Sequence, residues 1–256
     1  PPVESFAPDL VLYTLGSGAF PDEYKIEHVS PFCLTAYLSY GFLLADEEDY
    51  QFNQMFHHTS WMVFASTERE LDLYRKNSLR LKPSIPLVGY PKFDLYGSAS
   101  KAMQKNTIIV APHWTVGQIY PRLNLGNFHV QVEDLLALFQ EFEQCHFVFK
   151  PHPNLRWAMA KIQEEHGGEM TYDEFLKRAS DLPNFELLLH GDYFPLFVES
   201  CAMITDSVSF LAEYLPSGNP LYFADREDRA KLSDVGEGII DSYYSGKDSA
   251  DMRKFV

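Results

Sequence analysis

Two different apolar periods follow one another closely in the second half of the chain. "NTIIVAPH" (106–113) is a short β-branched run, and "VQVEDLLALFQEFEQ" (130–144) sets Val132, Leu135, Leu138, Phe139 and Phe142 at helical spacing. "HFVFK" (146–150) then returns to a strand-like run, so strand, helix and strand with modest connections predict a parallel βαβ unit. The alternation continues. "NFELLLHG" (184–191), "AMITD" (202–206) and "NPLYFAD" (219–225) read as strands, separated by the short helices "YFPLFVES" (193–200) and "SVSFLAEYL" (207–215). The pattern predicts a doubly wound α/β domain over residues 104–256, whose ligands belong beyond the carboxyl ends of its strands.

The first half, residues 1–97, mixes the apolar stretches "DLVLYTLGSG" and "FCLTAYLSYGFLLA" with a helical region from Tyr50 to Lys76. One or two helices are expected there, with Phe52, Met55, Phe56 and Trp61 on their inner faces. "GSASKAMQKN" (97–106), small and polar between aromatic-rich stretches, is the expected linker. No internal repeat or low-complexity segment is present.

Composition narrows the class. A chain of 256 residues, 46% hydrophobic and 15% aromatic, can fill one large or two modest cores, and two domains are the expectation. No run approaches the ~18 apolar residues of a membrane span, and "PPVESFAPDL" lacks the basic start and apolar core of a secretory signal. The absence of an initial methionine reads as a fragment or processed piece of a longer parent. Cys33, Cys145 and Cys201 form neither a CxxC pair nor a disulfide framework, so buried thiols in a reducing cytoplasm are expected. A formal charge of −15 opposes general nucleic-acid binding, which needs a clustered basic surface; an anionic ligand would need a local pocket.

The candidate chemistry gathers at the predicted strand ends. In "FVFKPHPNLR" (147–156) each proline restricts the residue before it to extended backbone, holding Lys150 and His152 stiffly where a strand ends. An imidazole there can donate to a phosphate or move a proton near neutral pH, although an exposed histidine in a proline-rich exit loop has the same letters. In "ITDSVSFLAEYL" (204–215), a strand ending in Thr205 and Asp206 gives way to a helix whose first turn holds Ser207 and Ser209, an arrangement suited to an anion. Simple helix capping by Asp206 or Ser207 is the plainer account of that stretch taken alone. Glu213 reads either as a ligand for a ribose or sugar hydroxyl or as a solvated helix residue. "VAPHWT" (110–115) places His113 after a proline at the end of another strand, and two histidines with a serine-bearing helix start on one sheet edge describe a diphosphate pocket.

Other signals are weaker. His57 and His58 adjoin on a helix and face different ways, which makes a poor metal pair and points to core or surface placement. Asp46, Glu47, Glu48 and Asp49 read as a solvated helix start. No HExxH, GxGxxG or Walker sequence occurs, and "YTLGSGAF" (13–20) lacks GK[ST], which opposes zinc hydrolase, dinucleotide oxidoreductase and P-loop readings.

Six pieces, "AYLSYGF", "FNQMFHHTSWMVFASTE", "VGYPKFD", "IIVAPHWT", "FKPHPNL" and "GDYFPLFVESCAMITDSVSFLAEYLPSGNPLYF", run in order over roughly residues 36–224. In that order they resemble the CDP-glycerol glycerophosphotransferase family, the transferases that build teichoic acid and related capsule polymers. The resemblance implies an α/β, GT-B-like architecture of two Rossmann-like domains with parallel sheets. Residues 1–97 would be the acceptor-side domain, open to truncation, and 104–256 the nucleotide-binding domain. It implies a nucleotide-diphosphate donor, CDP-linked, as substrate and no separate cofactor or metal. His152 would contact or protonate the leaving diphosphate with His113 beside it. The diphosphate and nucleotide would be lined by Lys150, Asn154, Arg156, Thr205, Asp206, Ser207, Ser209 and Glu213, with Glu213 toward the ribose. A polymer or lipid-linked acceptor, a cytoplasmic location at the inner face of the membrane with peripheral association, and further domains of a longer parent complete the picture. Two departures stand out: the family's TDYSS-like segment is "TDSVS" here, so Ser209 matches one serine and Ser207 takes the tyrosine position, and the HGTPLK-like element that supplies the acceptor-side base has no counterpart. His28 is a poor substitute, and the base is left unassigned. The expected reaction is a metal-independent displacement at the β-phosphate of a CDP-activated alditol phosphate. A nucleotide-sugar glycosyltransferase of the same fold, and a noncatalytic module of a larger synthase, are the alternatives.

Overall fold

The computed structural model describes residues 2–98, 106–117, 119–167 and 170–256. The chain forms two compact units, Pro1–Leu43 with Glu47–Pro91, and Leu44–Asp46 with Lys92–Val256. The change of unit falls between Pro91 and Lys92; most of the expected linker, residues 99–105, lies outside the described residues.

The first unit is built on a three-stranded parallel sheet of β1 (Leu10–Tyr13), β2 (Leu34–Leu38) and β3 (Met62–Phe64), in that order. Tyr13 pairs with Tyr37, and Leu38 with Phe64. Its helices are α1 (Ile26–Val29), α2 (Glu48–Phe52), α3 (Met55–Thr59) and α4 (Glu68–Asn77). The expected one or two helices over 50–76 are therefore three, α2, α3 and α4, with the strand β3 between the second and third. The run "MVF" is short and flanked by serines, and it pairs with β2 instead of continuing a helix. A new helix starts only at Thr67, whose hydroxyl accepts the N–H of Glu70 at 3.1 Å. Phe52 and Phe56 enter the core with Tyr13, Tyr37, Val63 and Tyr74. Met55 and Trp61 do not: they are 59% and 43% exposed, because the breaks at Asn53 and Ser60 turn them off the inner face. His57 is a core histidine. Its Nδ1 accepts the N–H of Gln54 at 3.0 Å, and burial above all, then the neighbouring His58, pulls its pKa down to about 3.

The second unit is the doubly wound domain expected from the apolar pattern. In chain order it contains β4 (Thr107–Ala111), α5 (Phe128–Glu141), β5 (His146–Phe149), α6 (Leu155–His166), α7 (Tyr172–Ser180), β6 (Phe185–Leu187), α8 (Phe194–Glu199), β7 (Ala202–Thr205) and α9 (Val208–Tyr214). It continues through β8 (Leu221–Ala224), α10 (Asp234–Ile240), β9 (Tyr244–Gly246) and α11 (Ser249–Phe255). All six strands are parallel, in the order β6-β5-β4-β7-β8-β9. Connections run one way from β4 to β6 and the other way from β7 to β9, so right-handed crossovers place α5, α6 and α7 on one face and α8, α9 and α10 on the other. The direction reverses between β4 and β7, the position at which open α/β sheets bind ligands. Helices α6, α7, α10 and α11 and strand β9 go beyond the elements read from the apolar pattern. The capping box at Thr171 and Glu174, where each side chain accepts the other's backbone N–H, was the available sign of α7.

An aromatic stack fills the space between the sheet and the α5–α7 face, with Phe139 4.6 Å from Phe147, Phe128 4.9 Å from Phe175 and Phe149 5.1 Å from Phe175 between ring centres. The three cysteines are partly buried and unbridged, and burial raises each thiol's pKa. Among the described residues no helix is long and apolar enough to cross a membrane.

One close approach controls the loop after β4. A Cβ on Gly126 would stand 2.8 Å from both the His113 carbonyl oxygen and Val116 Cγ1. Gly126→Ala is expected to destabilise the protein by about 1–3 kcal/mol, since backbone on one side cannot move away. Urea unfolding checks this: an unchanged midpoint would show that the loop yields.

Candidate active site

The site is assembled where β4, β5 and β7 end side by side. The His152 N–H donates to the Pro112 carbonyl at 3.2 Å, and Thr205 Oγ1 donates to the Ala111 carbonyl at 2.6 Å, stitching all three strand exits together. Asp206 provides the strongest tie. Its carboxylate is buried, and its two oxygens accept the N–H of His113 and the N–H of Asn127, each at 2.6 Å. Burial pushes its pKa up to about 6, against the pull of these N–H donors. Both oxygens of Asp206 thus serve to hold the loop after β4 and the start of α5.

The two histidines stand together, their ring centres 5.5 Å apart. The Asn154 N–H donates to His152 Nδ1 at 3.1 Å, and the Thr115 N–H to His113 Nδ1 at 3.3 Å, with Thr115 Oγ1 2.8 Å from the same nitrogen. A ring nitrogen that accepts an N–H carries no proton, so this pattern assigns the proton of each neutral imidazole to Nε2. Burial first, then His152, draws His113 down to about 3; burial first, then Lys150, draws His152 down to about 4. Both rings are neutral Nε2–H donors near pH 7.

The remaining candidates divide in position. Thr205 is buried and also accepts the Ser207 N–H at 3.0 Å. Ser207 is the N-cap residue of α9, but its hydroxyl makes no capping bond, and Ser209 lies half-buried in the first turn. Lys150 Nζ sits 5.0 Å above the ring of Tyr193, with its pKa lowered by burial. Glu213 is not a solvated helix residue. It is 1% exposed, ion-paired to Lys92 Nζ at 2.9 Å, and it accepts the Tyr193 hydroxyl at 2.6 Å. Tyr96 donates to its main-chain oxygen, and the Tyr193 phenol is held above its usual range by burial and then by the Glu213 charge. Arg156 is not gathered in: its exposed guanidinium pairs with Asp173 at 2.9 Å. Asn154 is exposed and meets His152 through its backbone alone.

Several residues beside these were not read as site residues from the sequence. Trp114 lies 5.8 Å from His152 and 6.2 Å from His113, and Trp157 and Tyr120 flank it at 6.2 and 6.0 Å. A tryptophan within five positions of each histidine was the available signal. Lys92 and Tyr193, which hold Glu213, carried none that spacing could show. Among the described residues no cluster of three or more His, Cys, Asp or Glu side chains is placed to hold a metal ion.

No family model matches the chain. It is 35% identical over 69 residues to the exodeoxyribonuclease 7 small subunit of Carboxydothermus hydrogenoformans, a likeness confined to 27% of this chain and 87% of that protein. Solved structures resemble it over nearly its full length. MnaA of S. aureus, solved with UDP, aligns with a TM-score of 0.59 at 15% identity, covering 99% of this chain and 67% of MnaA. The UDP-GlcNAc 2-epimerase of Neisseria meningitidis, bound to UDP-GlcNAc, aligns at 0.53 and 15%, covering 99% of this chain and 68% of the epimerase. The wall teichoic acid polymerase TagF, as a histidine-to-asparagine variant with CDPG, aligns at 0.53 and 13%, covering 84% of this chain and 54% of TagF. The chain thus spans about two thirds of MnaA and of the Neisseria meningitidis epimerase and about half of TagF. At such low identity these likenesses establish the fold: α/β, with parallel sheets of the Rossmann-like, GT-B kind.

The buried imidazoles set a pH dependence. His57, His113, His129 and His152 are drawn down to about 3, 3, 4 and 4, whereas an unfolded imidazole takes its proton near 6.5. Between these values the unfolded chain binds more protons, so their contribution is complete above pH 6.5 and is lost as pH falls toward 4. Asp206, raised from 3.8 to about 6, and Glu70, also raised by burial, oppose this, since folded carboxyls gain protons first. Four imidazoles outweigh two carboxyls. The thermal midpoint is expected to be lower at pH 5 than at pH 7.5, with a shallower slope in His152→Ala; a midpoint that rises on acidification refutes the assignment.

Proposed function

We propose that this chain is part of a GT-B-type transferase that takes a CDP-activated alditol phosphate, of the glycerol-phosphate kind, and passes it to a growing cell-surface polymer on the cytoplasmic side of the membrane. The observation that carries the proposal is the pair of imidazoles at the reversal point of the sheet, each with Nδ1 occupied by a backbone N–H and Nε2–H left as donor. Two fixed, partly desolvated donors that carry no charge of their own suit a diphosphate, whose oxygens they meet without reorganisation.

In the proposed reaction an acceptor hydroxyl oxygen bonds to the β-phosphorus. The bond from that phosphorus to the bridging oxygen breaks, and its electron pair leaves on CMP. The hydroxyl proton passes to a base to which no residue of this chain is assigned. Charge building on CMP is met by Nε2–H of His152 and His113, with Lys150 and the hydroxyls of Ser207 and Ser209 at the same edge. His152 starts neutral, and a bound diphosphate would raise its pKa and let it donate a proton as CMP departs. Asp206 and Thr205 act as positioning residues. Arg156 and Glu213 would contact the donor only by leaving their ion pairs. The structures with UDP and with CDPG on this fold, and the ordered motifs from Ala36 to Phe223, support a nucleotide-diphosphate donor.

Calorimetric titration with CDP, CMP and UDP tests the proposal. Micromolar binding that prefers cytidine is expected, weakened more than tenfold in His152→Ala, the scale of a lost hydrogen bond to a charged group, with little change in stability. Ser209→Ala should weaken CDP more than CMP. A uridine preference would favour a nucleotide-sugar transferase, and no binding to any of the three would favour a noncatalytic module.

A further inference from the structure

We propose that Trp114, Tyr120 and Trp157 form a subsite for a pyranose ring, beside the histidine pair. Trp157 is 52% exposed and Tyr120 38%, and half-buried Trp114 lies between them, 6.2 and 6.0 Å from their ring centres. The same indole is 5.8 Å from His152, so the aromatic wall and the imidazole donors are continuous. A single exposed aromatic residue needs no explanation, but three in ring contact, whose middle member also meets both histidine rings, do.

The shape of the wall selects its occupant. Trp157 and Tyr120 are inclined to Trp114 by 54° and 51°, so the rings make a bent wall instead of parallel planes. A flat nucleobase stacks on a face parallel to itself. A saturated six-membered ring is thicker; its axial C–H bonds can lie against inclined aromatic faces while its equatorial hydroxyls turn outward to polar groups. The rings of His152 and His113, 5.8 and 6.2 Å from Trp114, border the wall, and Asn154, exposed at the start of α6, follows His152 in the same loop. An open-chain alditol offers no such face.

Position agrees with this. Trp157 belongs to α6 on one face of the sheet, whereas Ser207 and Ser209 begin α9 on the other, and the histidines sit at the edge between them. A diphosphate across that edge would have one end at the aromatic wall. The subsite therefore rests on the reading of the histidine pair as a diphosphate cradle. The sugar could belong to the donor or to the acceptor, and the chemistry of the wall is the same for both.

The test titrates the chain, its Trp157→Ala variant and its Trp157→Phe variant with UDP, UDP-N-acetylglucosamine and chitobiose. The donor source is expected to show as UDP-N-acetylglucosamine binding about tenfold tighter than UDP, the scale of one ring-stacking contact, with the advantage lost in Trp157→Ala and kept in Trp157→Phe. The acceptor source is expected to show as chitobiose binding weakened about tenfold in Trp157→Ala with UDP unaffected. If UDP binds and Trp157→Ala changes neither sugar ligand relative to UDP, the subsite is overturned while the cradle stands. If neither UDP nor CDP binds, the cradle reading fails, and if CDP alone binds, the cradle stands; in both cases chitobiose decides the subsite, since binding that depends on Trp157 upholds the wall and its absence overturns it.

Discussion

A buried carboxylate at the end of β7 organises the upper edge of this sheet. Asp206 is almost fully removed from solvent and accepts two backbone N–H groups, one from the loop after β4 and one from the first residue before α5. Burying a carboxylate costs several kcal/mol unless its lone pairs are satisfied, so the two loops must come to it in one geometry. That constraint fixes where the His113 backbone stands. Thr205 and the prolines around His152 fix the neighbouring strand exits by the same logic of few remaining options.

With the loops held, the imidazoles have little freedom left. Each Nδ1 is taken by an N–H two residues further along its own turn, and burial removes the proton that would make either ring a cation. Neutral donors are a useful choice in this protein. Its formal charge of −15 creates a long-range field that disfavours anions, and a site for one has to rely on short-range, directed N–H groups instead of on the field. Of the basic groups nearby, Lys92 pairs with Glu213 and Arg156 with Asp173, while Lys150 lies over the Tyr193 ring.

The Glu213 network is a second polar system, with Lys150 lying above the ring of its Tyr193. With Glu213 1% and Lys92 32% exposed, the pair is weak support for stability but a constraint on conformation, because removing Lys92 leaves the buried Glu213 carboxylate uncompensated. It brings Lys92 and Tyr193, 101 residues apart in sequence, to the carboxylate of Glu213, and Tyr96 to its main-chain oxygen. The aromatic wall on the opposite face has no such internal satisfaction. Its central ring, Trp114, packs against the core of the same unit, while Tyr120 and Trp157 stand exposed on either side of it.

The strand–helix alternation of residues 106–225 was legible because burial on both faces of a parallel sheet forces continuous apolar runs, and the amphipathic period of α5 follows from packing on one side. Those local rules also put the two histidines and the 205–209 helix start at strands' carboxyl ends. They failed where length decides: "MVF" is too short to show a period, so β3 was read as helix, and Met55 and Trp61 were assigned to a core they do not enter. The sequence by itself determined the class of the fold, the edge on which chemistry can occur and the two histidines. Only the tertiary structure decided which partners those side chains meet. It turned Glu213 inward to Lys92, Arg156 outward to Asp173, and Asp206 onto backbone N–H groups 79 and 93 residues away. The reason is physical: secondary structure follows from neighbours a few residues apart, whereas the satisfaction of a buried charge depends on whatever the fold brings within hydrogen-bonding distance.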